Sequence, residues 1–84
     1  MYYVYILKNN KNQTYIGQTK NLDDRLERHN SGREKYTKNK GVFEIIYKES
    51  YNTRSQAILR EKMLKGGKGR EWIKNTILKQ YINN

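Results

Sequence analysis

The chain has 84 residues, with 18 Lys and Arg against 8 Asp and Glu, a formal net charge of +10, one His and no Cys. That length predicts one small domain over residues 1–84, with a marginal core. No disulfide, thiolate zinc site or His-based structural zinc site is available to staple it. No apolar run approaches the roughly 20 residues of a membrane span and the Met1-Tyr2-Tyr3-Val4 start lacks a basic leader, so a cytoplasmic protein is expected, with a polyanion, nucleic acid first, as its partner.

Tyr2 to Leu7 is rich in β-branched and aromatic residues and predicts a strand. Lys8 to Gln13 is polar, with three Asn, and predicts a hairpin turn. Thr14 to Thr19 predicts the second strand, with Gly17 near its end as a place for a bulge or close backbone approach. Asn21 is a good N-cap, and Asp23 and Asp24 suit the first turn of a helix that runs to about Ser31 and stops at Gly32. Arg33 to Lys40 reads as a basic loop and Val42 to Tyr47 as the third strand. Thr53 and Gln56 form a capping box for a second helix, through Lys65 to Gly66-Gly67. A last helix, roughly Gly69 to Tyr81, carries Trp72, Ile73, Ile77 and Leu78 on or near one face. The order β-β-α-β-α-α predicts an α+β fold, a small three-stranded antiparallel sheet flanked by helices.

Several residues do not suit their positions. On the first helix Leu22, Arg25, Leu26 and His29 share one stripe by the i, i+3, i+4, i+7 rule, so a guanidinium and an imidazole lie at or near the packed face. Taken singly, Arg25 reads as a snorkelling side chain over Leu22, and His29 as a cap on helix carbonyls. On the second helix Ala57, Glu61 and Leu64 form an inward stripe, and a carboxylate there must be paired, hydrogen-bonded or bound to a cation; taken singly, Glu61 reads as a salt bridge to Arg25 or another base. Tyr3 and Tyr5 alternate with Val4 and face one side of the sheet; Tyr15 joins from the next strand. Such a face packs a core or stacks bases.

Together these residues resemble the GIY-YIG nuclease superfamily, over Tyr2 to about Asn75. Tyr3-Val4-Tyr5 stands where the first motif belongs, with Tyr3 in place of its Gly and Val4 in place of its Ile. Tyr15-Ile16-Gly17 matches the second motif outright, Gly17 to Leu26 resembles the segment with the family's arginine, and Glu61 takes the place of its single metal-ligating glutamate. The chain is most similar to compact stand-alone bacterial members, and to the N-terminal catalytic domain of the excision-repair incision subunit.

The resemblance implies a metal-dependent endonuclease, with DNA favoured over RNA. Tyr15 would act as or assist the general base, and Arg25 would orient the water or hold the phosphate. Tyr5 would hydrogen-bond in the same cluster. His29 would support Tyr5 or a phosphate oxygen, and Glu61 would bind one Mg²⁺ or Mn²⁺. Asn75 would be the late polar residue near the phosphate. A single carboxylate is a weak metal anchor, so nucleic acid is expected to complete the site. Lys20, Arg33, Lys35, Lys38, Lys40, Lys62, Lys65, Lys68 and Arg70 are basic candidates for phosphate contacts, which give affinity but not sequence choice. Two other readings stand beside this one: a non-catalytic nucleic-acid binding module with the same fold, and a basic accessory protein whose Tyr face is packing. A lone nuclease module would gain selectivity by reading substrate structure, pairing with a second copy or docking on a targeting partner.

Overall fold

Strands β1 (Tyr2–Lys8), β2 (Thr14–Thr19) and β3 (Glu44–Tyr51) pair antiparallel in the order β2-β1-β3 in the computed structural model, which describes residues 1–79. The first strand is therefore central. Val4, Ile6 and Leu7 are fully buried and Tyr5 nearly so, because both faces of β1 are covered. Helix α1 (Leu22–Asn30) covers one face, where Leu22 and Leu26 pack with Tyr5, Leu7 and Phe43. Helix α2 (Arg54–Lys65) covers the other, where Ala57 and Leu64 meet Val4 and Ile6. Helix α3 (Gly67–Trp72) follows, and a π-helical segment, Ile73–Leu78, continues it with Ile73 and Ile77 in the same core. The predicted α+β architecture and element order are those observed.

Local chemistry sets most boundaries. The Asn21 side chain accepts from the Asp24 amide at 3.1 Å and starts α1. Gly32, at φ +81, follows its end, a conformation that favours glycine. The capping box of Thr53 and Gln56 starts α2 as predicted. In the hairpin turn, buried Asn9 accepts from the Lys11 and Gln13 amides at 3.0 and 2.8 Å. Its amide donates to Gln13 Oε1 at 2.6 Å and to the Lys40 carbonyl at 2.7 Å, tying the turn to the distant basic loop. Asn30 clamps the other end of that loop, donating to the Phe43 carbonyl at 3.0 Å and accepting from its amide at 2.8 Å.

Two boundaries differ from the sequence reading. The third strand was expected over Val42–Tyr47 but is Glu44–Tyr51, and Val42 is exposed. A bulge causes the misreading. Leu7 pairs with Ile45 and Ile6 with Tyr47, so Ile46 is the extra residue, and Ile46 and Tyr47 both face the α2 side. The polar continuation Lys48–Tyr51 stays in the sheet because Glu49 is satisfied there. It accepts from Tyr47 and Tyr51 hydroxyls at 2.5 Å each and from the Arg60 fork at 2.9 and 3.1 Å. Burial disfavours the Glu49 carboxylate, but hydrogen bonds from Arg60, Tyr47 and Tyr51 outweigh that and hold its pKa below the ordinary value. Burial and the Glu49 bond push the Tyr47 phenol up to about 12. This network locks α2 against β3 and sets where Glu61, the residue after Arg60, emerges. The last helix, expected over Gly69–Tyr81, begins at Gly67 instead and turns π-helical at Ile73; its expected end at Tyr81 lies outside the described residues. No helix among the described residues is long and apolar enough to cross a membrane.

Candidate active site over the edge strand

The site begins with the pairing of Tyr5 opposite Gly17. With no side chain on Gly17, the Tyr5 phenol lies across β2; a Cβ there would stand 2.5 Å from Tyr5 Oη and 3.0 Å from Tyr15 Cε1. The glycine of Tyr15-Ile16-Gly17 is thus required by close approach. Tyr5 Oη lies 3.1 Å from His29 Nε2, and His29 Nδ1 lies 2.8 Å from Thr37 Oγ1. All three residues are buried, so a phenol, an imidazole and a hydroxyl form one satisfied chain from β1 through α1 to the loop after it. Tyr15 packs against this chain, its ring centroid 4.6 Å from His29 and 6.2 Å from Tyr5, and is part-exposed.

Burial sets the protonation states. Desolvation raises the pKa of Tyr15; Lys65 and Arg25 draw it down, while Glu34 and Glu61 push it up. Tyr5 is raised strongly, first by burial and then by Tyr15. His29 is lowered from 6.5, mainly by burial, and so is neutral at pH 7. A neutral imidazole donates from one nitrogen and accepts at the other, and both nitrogens already have partners.

Arg25 and Glu61, expected near the packed faces, each have a charged neighbour. Arg25 Nη1 lies 3.7 Å from Glu34 Oε1, and the same oxygen is 3.2 Å from Arg28 Nε. Glu61 meets another base rather than Arg25: its Oε2 is 2.6 Å from Lys65 Nζ one turn along α2, while Arg25 is turned to Glu34. Among the described residues no three His, Cys, Asp or Glu side chains stand together to hold a metal. Glu61 nonetheless offers the hard oxygen donor that Mg²⁺ or Mn²⁺ takes, with waters and phosphate oxygens filling the remaining positions, so this donor set fits one such ion.

A cleft of about 540 Å³ lies over β2, lined by Tyr15, Tyr36, Lys65, Arg70 and Lys74 among others. Of the predicted phosphate contacts, Lys65 and Arg70 line it. Lys40 sits over the Tyr36 ring at 4.1 Å, at the mouth of the same region. Lys20 lies over Tyr2 instead, and Arg33 pairs with Glu27. Lys35, Lys38, Lys62, Lys68 and Asn75 are exposed and outside the cleft lining. Sequence reasoning did not single out Glu34, Tyr36, Thr37 or Lys74. An aromatic residue within a basic loop is a usable signal for Tyr36. Thr37 has none, since only the fold brings it to His29.

Comparison with known proteins shows the family of the chain. The model of the GIY-YIG catalytic domain matches residues 1–75. A UPF0213 protein of Staphylococcus epidermidis is 40% identical over 65 residues, 76% of this chain and 79% of its own length. One from Oceanobacillus iheyensis is 38% identical over 65 residues, 76% of each chain. The solution NMR structure of the UPF0213 protein BH0048 from Bacillus halodurans superposes with a TM-score of 0.53 at 29% identity, covering 89% of this chain and 84% of its own. One continuous family match thus spans both tyrosines, the arginine, the histidine and the glutamate, and the chain belongs to the GIY-YIG family.

Proposed function

We propose that this protein is a metal-dependent endonuclease that hydrolyses phosphodiester bonds in DNA. The observation that carries the reading is the Tyr15 phenol, part-exposed and packed on the buried Tyr5–His29–Thr37 chain, with Arg25, Lys65 and Glu61 close enough to act on its ionisation. Such a rigid polar cluster under a reactive group is preorganisation, and packing alone does not require it.

Each residue then has a role. Tyr15 in the free protein is a neutral phenol, so it orients the attacking water by hydrogen bonding. It acts as a base only when the positive charge around it outweighs its burial. Tyr5 is a positioning residue: its phenol is too buried to titrate and holds His29. His29 has no nitrogen left for a phosphate oxygen, so it supports Tyr5 and backs the Tyr15 ring. Arg25 holds the attacked phosphate with its planar fork, and that phosphate replaces Glu34 as its anion. Glu61, once released by Lys65, would hold the divalent metal. When bound, the metal supplies Lewis-acid stabilisation of the charge that builds on the phosphate oxygens. Attack of water on phosphorus breaks the P–O ester bond and leaves one phosphomonoester and one hydroxyl end.

A panel of labelled substrates (plasmid, flap, fork, four-way junction, single-stranded DNA and RNA) with Mg²⁺ or Mn²⁺ tests this, with Tyr15→Phe and Glu61→Ala beside the wild type. Cutting that both variants abolish, while binding persists and weakens steeply with salt, is the expected result. Cutting by all three alike refutes it. One observation favours a second reading, a binding module without catalysis: Arg25 and Glu61 are already neutralised by Glu34 and Lys65. Salt-sensitive binding without cleavage under any condition would select it.

A further inference from the structure

We propose that the cleft beside Tyr15 seats one unpaired base of the DNA substrate, next to the phosphate that is cut, and that Tyr36 is the stacking residue that selects for it. The location of the cut phosphate rests on the nuclease reading; the seating of the base does not.

The cleft has the composition a nucleotide needs. Its volume, about 540 Å³, falls within the range of small-molecule sites. Tyr15, Ile16 and Tyr36 give it an apolar wall, while Lys65, Arg70 and Lys74 are cations on the same lining. Aromatic and aliphatic surface with converging cations matches a base flanked by phosphates.

Tyr36 is the informative side chain. It is 60% exposed, although its neighbour Thr37 is buried and anchors the loop to His29. The core therefore does not hold the Tyr36 ring. Its placement comes from other contacts: the ring centroid lies 5.4 Å from Tyr15, and Lys40 Nζ stands 4.1 Å over the ring. An ammonium over a ring is a weak, displaceable partner at an exposed site, and an incoming base offers the ring a larger stacking surface. The helical part of the lining is equally specific. Arg70 Nε donates to the Lys65 carbonyl at 3.1 Å, which holds the turn between α2 and α3. The π-helical segment begins at Ile73, immediately before Lys74, in the cleft wall. π-helical turns occur frequently at functional sites.

The geometry makes a demand on the substrate. A paired and stacked base cannot enter a pocket beside the backbone unless it is extruded, which costs unpairing and unstacking energy; for an unpaired one that cost is smallest. The preferred substrate is therefore a strand with an unpaired nucleotide at the cut, as in a flap, fork, gap or single strand.

The test uses the full chain in EDTA, so that binding is read without cleavage. Two DNA probes of one sequence carry the fluorescent base 2-aminopurine, one single-stranded and one fully paired. The expected result is quenching of the unpaired probe on binding and about tenfold tighter binding of it than of the duplex. Tyr36→Leu should abolish the quench and weaken single-strand binding about tenfold, with the far-UV circular dichroism unchanged, while Tyr36→Phe should retain both. Equal affinity for the two probes, no quenching, or a Tyr36→Leu variant that behaves as wild type overturns the proposal. Because no metal is present, a protein that never cuts can still pass this test, and an active nuclease can fail it.

Discussion

Replacing Gly17 by Ala tests the packing on which the site is built. The new Cβ would stand 2.5 Å from Tyr5 Oη, 2.7 Å from Tyr5 Cζ and 3.0 Å from Tyr15 Cε1. Relief to an ordinary contact of about 3.5 Å needs a shift of roughly 1 Å. Tyr5 cannot yield cheaply: it is 1% exposed and its hydroxyl is held at 3.1 Å by His29. Overpacking of this kind costs about 1–3 kcal/mol. Ala returns about 0.4–1 kcal/mol by restricting the unfolded chain. Taking the middle of each range, the net loss is about 1.3 kcal/mol, or a fall in Tm of about 5–10 °C for a domain of this size. Tyr5→Phe removes the 2.5 Å contact but leaves the one to Cζ, so Gly17→Ala should cost less in that background, with a coupling of at least about 0.5 kcal/mol. Thermal and urea unfolding of the wild type, both single variants and the double variant would measure the whole cycle. A Gly17→Ala protein that melts at or above the wild type, or two substitutions whose effects simply add, would refute the reasoning.

Three further outcomes follow from the same geometry. Thr37→Val should leave His29 Nδ1 buried without a partner and cost about 1–3 kcal/mol, read as a lower urea midpoint with unchanged m; no loss would mean that water replaces the hydroxyl. Burial lowers the folded pKa of His29 below 6.5, so stability contributed there is present above about pH 6.5 and is lost as pH falls through the folded value, since the unfolded chain takes up a proton that the folded one refuses. Glu49 loses its contribution in a separate, more acid window below about 4.5, so His29→Asn should flatten only the upper slope of urea midpoint against pH. Lys65→Met should strengthen Mn²⁺ binding to the nucleic-acid-free protein several-fold, within the worth of an exposed ion pair, as followed by the Mn²⁺ paramagnetic resonance signal; unchanged binding would show that Lys65 does not compete at Glu61.

What could be read along the chain is what depends on neighbours along the chain. The Asn21 cap, the Thr53–Gln56 box, the β1–β2 hairpin and the stripe joining Leu22, Arg25, Leu26 and His29 all arise within a few residues. The motif Tyr15-Ile16-Gly17, with the spacing to Arg25 and Glu61, was enough to name the family. The pairing of Glu61 with Lys65 is an i, i+4 contact within one helix, but the stripe alone left open whether Arg25 or another base would meet Glu61. The third strand was misplaced because a bulge at Ile46 breaks the two-residue alternation, and the polar tail is kept in the sheet by Arg60, eleven residues beyond Glu49. Thr37 under His29, Glu34 beside Arg25, and Tyr36 on one cleft lining with Lys65 and Lys74 were decided by tertiary structure alone. Sequence spacing determines which residues share a face of one element. Which faces then meet, and which charge finds which partner, depends on distances through space that only the packed sheet and helices create.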